Sequence, residues 1–388
     1  MKTSGEAPRV VLVCEAAGGG VGKHVLDIAE RLPPLGFEVL VAHSARRAEP
    51  DFADRLARHT LHGYSVTRVD VNRAPGLADV VGVLQLRRAV REFGGADILH
   101  GHSAKGGALA RLARWRCARR VFYTPNAFYV QAPALSAAAR WFYAAAERAL
   151  SLATDRVIAT SRDELGLARA LGIPERKLVL VENGISIRPN ADLERDRATA
   201  RAALGIASSE RVVGFVGRLV AQKAPALAAE TFRRIRRERP DTRFVLIGDG
   251  PEAPAVSAAL AKDGLASDVR WLRGAVARDF FPAVDVVLVT SHYEGFSYVM
   301  LEALDSGCAV VTTPVGGARE CVVEEGNGAI VTSRTPDALA SAVGRWLDSP
   351  DRLCAARAIS RERARHFALE RMVERLVTLY RGAIYDSA

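Results

Sequence analysis

The sequence predicts an α/β protein of two doubly wound, Rossmann-like parallel-sheet domains facing one another across a cleft, and three observations carry this. Short apolar runs alternate with helix-period stretches along the whole chain. The runs are almost continuously apolar, as parallel strands covered on both faces must be. The series occurs twice. Val10–Cys14 ends in glycines and leads to a helix at Lys23–Leu32; Val212–Val216 ends in Gly217 and leads to a helix near Leu227–Ile235.

In the first series, strands are expected at Val10–Cys14, Val39–Ala42, Asp97–His100, Val121–Thr124 and Arg156–Ala159. In the second they fall at Val212–Val216, Arg243–Ile247, Val269–Leu272, Val284–Thr290 and Ala309–Thr313. The polar stretch Arg188–Arg197 is the expected seam, dividing the chain into residues 1–190 and 191–368. A length of 388 residues suits two domains, and 49% hydrophobic with 25% charged residues excludes disordered, collagenous and coiled-coil chains. No apolar run reaches the roughly 18 residues of a membrane span, and Met1–Val10 lacks the apolar core of a secretory signal. Five scattered cysteines fit neither a disulfide framework nor a zinc spacing, so a reduced, cytoplasmic setting is expected.

The net charge of +10 is uneven. Residues 1–200 hold 29 Lys and Arg against 21 Asp and Glu, and residues 101–150 hold eight against one, Glu147. Such a balance points to an acidic partner of the first domain or to a solvated helix face.

In open α/β sheets, ligands bind outside the carboxyl ends of the strands, so the residues there are the ones that matter. Gly18-Gly19-Gly20-Val21-Gly22-Lys23-His24 fails the nucleotide phosphate-loop pattern, because Ala17 replaces its first glycine and His24 its Ser/Thr. It also fails G-x-G-x-x-G, with Lys23 at the last glycine. What remains is a backbone turn at a helix N-terminus that can approach an anion. Gly217-Arg218-Leu219-Val220-Ala221-Gln222-Lys223 sets two cations five residues apart after a strand, suited to a diphosphate. Glu294 and Glu302 flank the start of a helix; if all helical they would lie about 12 Å apart along the axis. That exceeds the spacing of a glycosidase carboxylate pair and suits the two ends of a long ligand.

Together with Asn183-Gly184, Gly248-Asp249-Gly250-Pro251, Pro314-Val315-Gly316-Gly317, His100-Gly101-His102 and Tyr123-Thr124-Pro125-Asn126, these motifs resemble the GT-B glycosyltransferases of family 4. The resemblance covers nearly the whole chain in order. It implies a retaining enzyme of class EC 2.4 that uses a nucleotide-sugar donor. Arg218 and Lys223 would hold the donor diphosphate, Glu294 the sugar hydroxyls and Glu302 the ribose. Backbone at Gly295, Phe296, Ser297 and Tyr298 would meet sugar or phosphate, and the Arg273 turn the nucleobase. Gly18, Gly19 and Gly20 would close over the phosphates from the other domain, and a last helix in 369–388 would cross back to the first domain. His102 would contact sugar or acceptor; a structural role fits it equally. Asn126 stands where many relatives carry His, and it cannot titrate near neutral pH. With two cations on the leaving group, no metal or other cofactor is implied, and no Asp-x-Asp occurs.

The first domain is expected to take the acceptor, with Lys105 and Asn126 on its side: a glycan or lipid-linked molecule in the synthesis of a cell-surface polysaccharide, exopolysaccharide or lipopolysaccharide. Leu135–Leu152 carries Trp141, Phe142 and Tyr143 and follows the basic run Arg111–Arg120. That combination suits peripheral docking at the inner face of an anionic membrane, or an ordinary core helix with its aromatics inward. Nothing resembles a base-reading module, so nucleic acid is not an expected partner. A nucleotide-sugar epimerase on the same architecture and a non-catalytic nucleotide-sugar-binding paralogue are the alternative readings.

Overall fold

The computed structural model describes residues 6–72, 75–188 and 193–385. Residues 189–192 of the expected seam, and 386–388 of the expected terminal segment, lie outside the described residues. The chain forms two compact units: one holds the chain up to Asn183 and the segment from Leu369 onward, the other Gly184–Ala368.

The first unit is a seven-stranded, all-parallel sheet in the order β3-β2-β1-β4-β5-β6-β7. Its strands are β1 (Arg9–Cys14), β2 (Glu38–His43), β3 (Ser65–Arg68), β4 (Ala96–His102), β5 (Ala118–Thr124), β6 (Arg156–Ala159) and β7 (Leu178–Leu180). Its helices are α1 (Gly19–Arg31), α2 (Pro50–Leu56), α3 (Leu77–Glu92), α4 (Ser103–Ala113), α5 (Ala137–Ser151) and α6 (Arg162–Ala170). The period-two alternation of β1 sorts its core. Val10 and Leu12 pack with Val25 and Ile28 of α1 on one face, while Val11 and Val13 pack with Leu86 of α3 and Leu109 of α4 on the other.

The second unit follows the same plan with six parallel strands in the order β10-β9-β8-β11-β12-β13. These are β8 (Arg211–Val216), β9 (Thr242–Ile247), β10 (Val269–Leu272), β11 (Val286–Val289), β12 (Ala309–Thr312) and β13 (Gly328–Ile330). Its helices are α7 (Leu193–Leu204), α8 (Pro225–Glu238), α9 (Ala253–Ala261), α10 (Ala277–Phe280), α11 (Tyr298–Asp305), α12 (Ala318–Cys321), α13 (Pro336–Leu347) and α14 (Pro350–Arg365). Val213 and Phe215 face Phe232 of α8 and Trp346 of α13; Val212 and Val216 face Met300 of α11 and Ala364 of α14. Buried Asp285 ties the layers, accepting from Arg197, Arg201, Arg357 and the Val212 amide. The last helix, α15 (Leu369–Tyr385), packs with the first unit: Met372, Leu376 and Tyr380 join the core beside β1.

In both sheets the strand order reverses once, between β1 and β4 and between β8 and β11. These reversals are the points where the loops after neighbouring strands diverge and leave a crevice for a ligand.

Candidate active site

Both segments singled out in the second half meet at the reversal of the second sheet. The loop after β8 carries Arg218 and Lys223, and the loop after β11 carries Glu294. Lys223 Nζ lies 2.5 Å from Glu294 Oε1, which also accepts from Ser291 Oγ at 2.6 Å. The loops are further bound through backbone: His292 N donates to Gln222 O at 2.7 Å, and Gln222 Nε2 to Tyr293 O at 3.0 Å. Thr290 Oγ1 bonds the carbonyls of Lys223 and Ala224 at 2.8 and 3.0 Å. Ala224 there has φ +46°, a left-handed conformation that costs a non-glycine residue energy and persists only when its surroundings hold it. Thr290, Ser291 and Gln222 are positioning residues to which motif reading gave no role. They sit beside or within the motifs, but their types alone carried no chemical signal.

Two glycines allow the close approaches that this loop packing needs. A Cβ on Gly248 would stand 2.0 Å from the Gly217 carbonyl, and one on Gly316 would stand 2.2 Å from that of Gly295. Glycine at these positions lets the loops after β9 and β12 press against the site.

Helix α11 begins at Tyr298, so Glu294 lies on the loop before it and Glu302 one turn inside it. The axial spacing of a continuous helix therefore does not apply to the pair. Gly295, Phe296 and Ser297 lead into that N-terminus, whose first-turn N–H groups have no intrahelical acceptors. Ser297 is 3% exposed and its Oγ has no hydrogen-bond partner. A buried hydroxyl beside a helix N-terminus is suited to a phosphate or sugar oxygen. Arg218 is exposed, and so is Arg273, which stacks 4.4 Å over the Trp271 ring and lies 3.7 Å from Asp249. Trp271 is fixed by Nε1–H donation to Gly248 O.

At the reversal of the first sheet the chain builds a second cluster. The Gly18-Gly19-Gly20 turn opens α1, but its anion position holds a side chain: Gly19 N donates to Glu49 Oε2 at 2.7 Å. Sequence spacing gives no hint of Glu49, which arrives from the loop before α2. His102 ends β4 and is fully buried with both ring nitrogens unpartnered, its ring 4.1 Å from His100 and 5.2 Å from His24. His100 is bound on both sides, by Tyr380 OH at 2.6 Å and Thr124 Oγ1 at 2.8 Å. Burial holds all three imidazoles neutral, pushing His24 down to about 4 and His100 and His102 well below the ordinary range.

Asn126 and Ala127 follow β5 with φ +53° and +86°, and buried Glu164 receives the Ala127 amide at 2.7 Å. Burial raises the Glu164 carboxyl against the lowering of its hydrogen bonds from Thr160 and Ala127. Lys105 of α4 reaches both oxygens of Asp79 on α3 at 2.7 Å. Among the described residues, no group of three or more His, Cys, Asp or Glu could hold a metal ion. No described helix is long and apolar enough to cross a membrane.

Comparison with known proteins decides what this arrangement belongs to. Residues 19–184 match a glycosyl transferase 4-like domain, and residues 210–349 match glycosyl transferases group 1. A D-inositol 3-phosphate glycosyltransferase from Kineococcus radiotolerans is 30% identical over 95% of this chain and 92% of its own. The chain belongs to the group 1 glycosyltransferases. The fold of this glycosyltransferase matches a sucrose-phosphate synthase from Thermosynechococcus elongatus with TM-score 0.83 at 21% identity, covering 98% of this chain and all of that one. It also matches Anabaena HepE, solved in complex with UDP-glucose, with TM-score 0.77 at 20% identity over 96% and 98% of the two chains. Both are GT-B folds of two Rossmann-like sheets, as is this one. The protein is thus a glycosyltransferase of class EC 2.4 that uses a nucleotide-sugar.

Proposed function

We propose that this glycosyltransferase is a retaining enzyme that moves a sugar from a UDP-sugar to a hydroxyl of a glycan or lipid-linked acceptor in the building of a cell-surface polysaccharide. The observation that carries the reading is the Lys223–Glu294 pair at 2.5 Å, seated where the second sheet reverses its order. In this reading Arg218 and Lys223 bind the diphosphate, and Glu294 orients hydroxyls of the transferred sugar once Lys223 turns to phosphate. Glu302 takes the ribose, the Arg273 turn the base, and Ser297 with the α11 N-terminus a phosphate or sugar oxygen. The bond from the anomeric carbon to the phosphate oxygen breaks. The acceptor oxygen bonds to the same face of that carbon, and the acceptor proton passes to the departing phosphate. The positive groups stabilise charge as it develops on the leaving nucleotide, which is the largest electrostatic need of this chemistry.

UDP as the nucleotude carrier is supported by the HepE complex, and the acceptor side by the basic first unit with Lys105 and Asn126. In this reading His102 and the Gly18–Gly20 turn are substrate contacts of the first unit. The relatives named for D-inositol 3-phosphate favour a second acceptor reading, a small phosphorylated polyol. A thermal-shift panel with UDP, GDP, ADP and TDP, with and without EDTA, tests the donor. A saturating nucleotide at about 100 times its Kd adds roughly 2.7 kcal/mol, a shift of several degrees. UDP alone should give that shift, and EDTA should not abolish it. A shift for another nucleotide only, or for none, overturns the UDP reading. Incubation with UDP-sugars and either inositol phosphate or undecaprenyl-linked sugars, with the product anomer read by NMR, separates the two acceptors and tests retention.

A further inference from the structure

Three helices of the first unit turn an apolar side to solvent. In α3, Leu77, Val80, Val81 and Leu84 fall at i, i+3, i+4 and i+7 and are 52–88% exposed, while Leu86 and Val90 on its other side are buried. A helix apolar on both sides is ordinarily covered on both sides. Leu112 of α4 and Trp115 just beyond it are exposed, as are Trp141 and Phe142 of α5 and Leu152 after it. The three helices share one face of the sheet. Val11 and Val121, which pack under α3 and α4, point to the same side as Tyr123 and Val157, which pack under α5. The layer is tied together by Lys105–Asp79 between α3 and α4 and by Arg111–Glu147 between α4 and α5.

We propose that this α3–α4–α5 face docks on an anionic lipid bilayer. Residues 77–156 carry twelve Lys and Arg against five Asp and Glu, the larger part of the chain's excess positive charge. Each of the five acids is already in an ion pair: Asp79 with Lys105, Glu92 with Arg88, Asp97 with Arg119, Glu147 with Arg111 and Asp155 with Arg114. Arg91, Arg116 and Arg148 are exposed and have no ion pair among the described residues. The three helices run the same way, so these arginines lie toward one end of the apolar layer.

At that end, beside Leu152, an open recess of about 410 Å³ is lined by Arg114, Asp155, Arg156, Arg176 and Lys177. Burial, and then the adjacent Arg176, pulls the Lys177 ammonium below its ordinary range. Aliphatic and tryptophan side chains entering a headgroup layer, with arginines reaching phosphates beside them, is the combination that holds a protein on such a surface. The other way to cover the face is a second copy of this chain. A symmetric contact would set the same basic rim against itself, which like charges oppose.

Docking involves neither donor nor acceptor, so its test stands apart from that of the proposed function. The full chain is sedimented with phosphatidylcholine vesicles, with and without phosphatidylglycerol, at low and high salt. Binding is expected on anionic vesicles at low salt, about tenfold or more weaker without phosphatidylglycerol or at high salt. The double variant V81D/W141D, with both side chains in solvent and its fold checked by circular dichroism, should lose about tenfold. R148E/R156E should lose the preference for anionic lipid. Failure of the wild-type chain to bind anionic vesicles overturns the proposal, as does full binding by V81D/W141D. A dimer in light scattering that V81D/W141D dissociates, with vesicle binding unchanged, assigns the face to a second copy instead.

Discussion

Lys223 Nζ sits 2.5 Å from Glu294 Oε1, joining the loops that follow two strands adjacent in the sheet but 70 residues apart in the chain. Each charge compensates the other, and in the proposed function a donor diphosphate would compete for the lysine. Lys223→Ala removes the cation and leaves Glu294, 8% exposed, with only Ser291. By comparison with the loss of one transition-state charge donor, kcat/KM should fall about 10²–10³-fold. Glu294→Gln keeps an acceptor for Ser291 and should lower kcat while changing UDP affinity little. Steady-state kinetics with calorimetric UDP binding checks both. A Lys223→Ala enzyme within about twofold of wild type would remove the pair from the mechanism.

Glu49 places a carboxylate on the N-terminal turn of α1, where a donor or acceptor anion is proposed to bind. The contact stabilises the turn through the helix dipole, an effect of about 0.3–1 kcal/mol, and opposes a second anion by a similar amount. Glu49→Gln should therefore lower the KM of the anionic substrate about two- to fivefold with kcat unchanged. An unaltered KM for both donor and acceptor would mean that the Gly18–Gly20 turn holds no substrate anion.

The central strands were legible because they are buried on both faces, so Val10–Cys14 and Val212–Val216 read as unbroken apolar runs. Among the edge strands, β10 was legible at Val269–Leu272, whereas β3, β7 and β13 were not. β3 is exposed at both ends of Ser65–Arg68, and β7 and β13 have only three residues each, too short to stand out from the loops around them. The site divides the same way. Arg218, Lys223 and Glu294 lie in contiguous motifs, whereas in the first unit Glu49 reaches the Gly18–Gly20 turn only through tertiary packing. Trp141 and Phe142 left both an inward and an outward reading open, because an Ala-rich helix has no polar side to orient it. Glu147 settles the orientation, since its partners Arg111 and Tyr123 lie inside and the aromatics are therefore turned out.

The buried histidines make the first unit acid-sensitive. In the unfolded chain a histidine protonates near 6.5, whereas folded His24 stays neutral down to about 4. Between these values the unfolded state binds more protons, so stability is fully present above pH 6.5 and declines as pH falls toward 4. His24 alone accounts for about 3 kcal/mol of that loss, and His100 and His102 add to it in the same direction. Urea midpoints measured from pH 7.5 to pH 4.5 should fall steadily below 6.5. His102→Leu removes a ring whose nitrogens bond nothing, so it should flatten that fall with little change at neutral pH. An unchanged slope in this variant would assign the acid sensitivity elsewhere.

Helix α5 is held to its sheet through a buried charge. Arg111, with a side chain 0% exposed, donates to Glu147 Oε2 at 2.8 Å and to Gly107 O at 3.0 Å, and lies 3.9 Å over the Tyr123 ring. Tyr123 OH donates to the other Glu147 oxygen at 2.9 Å. Removing the carboxylate strands a guanidinium in the core, a loss of about 3–5 kcal/mol. Glu147→Ala should show that cost, and Glu147→Gln less, because its amide oxygen still accepts from one partner. Arg111→Met with Glu147→Leu replaces the pair by apolar groups of similar size and should recover part of the stability, because the buried Tyr123 hydroxyl loses its acceptor. Where calorimetry resolves the two units as separate transitions, all of these changes should fall on the one that contains α5. Equal shifts of both transitions, or a double variant no more stable than Glu147→Ala, would show that the pair is not what fixes this helix.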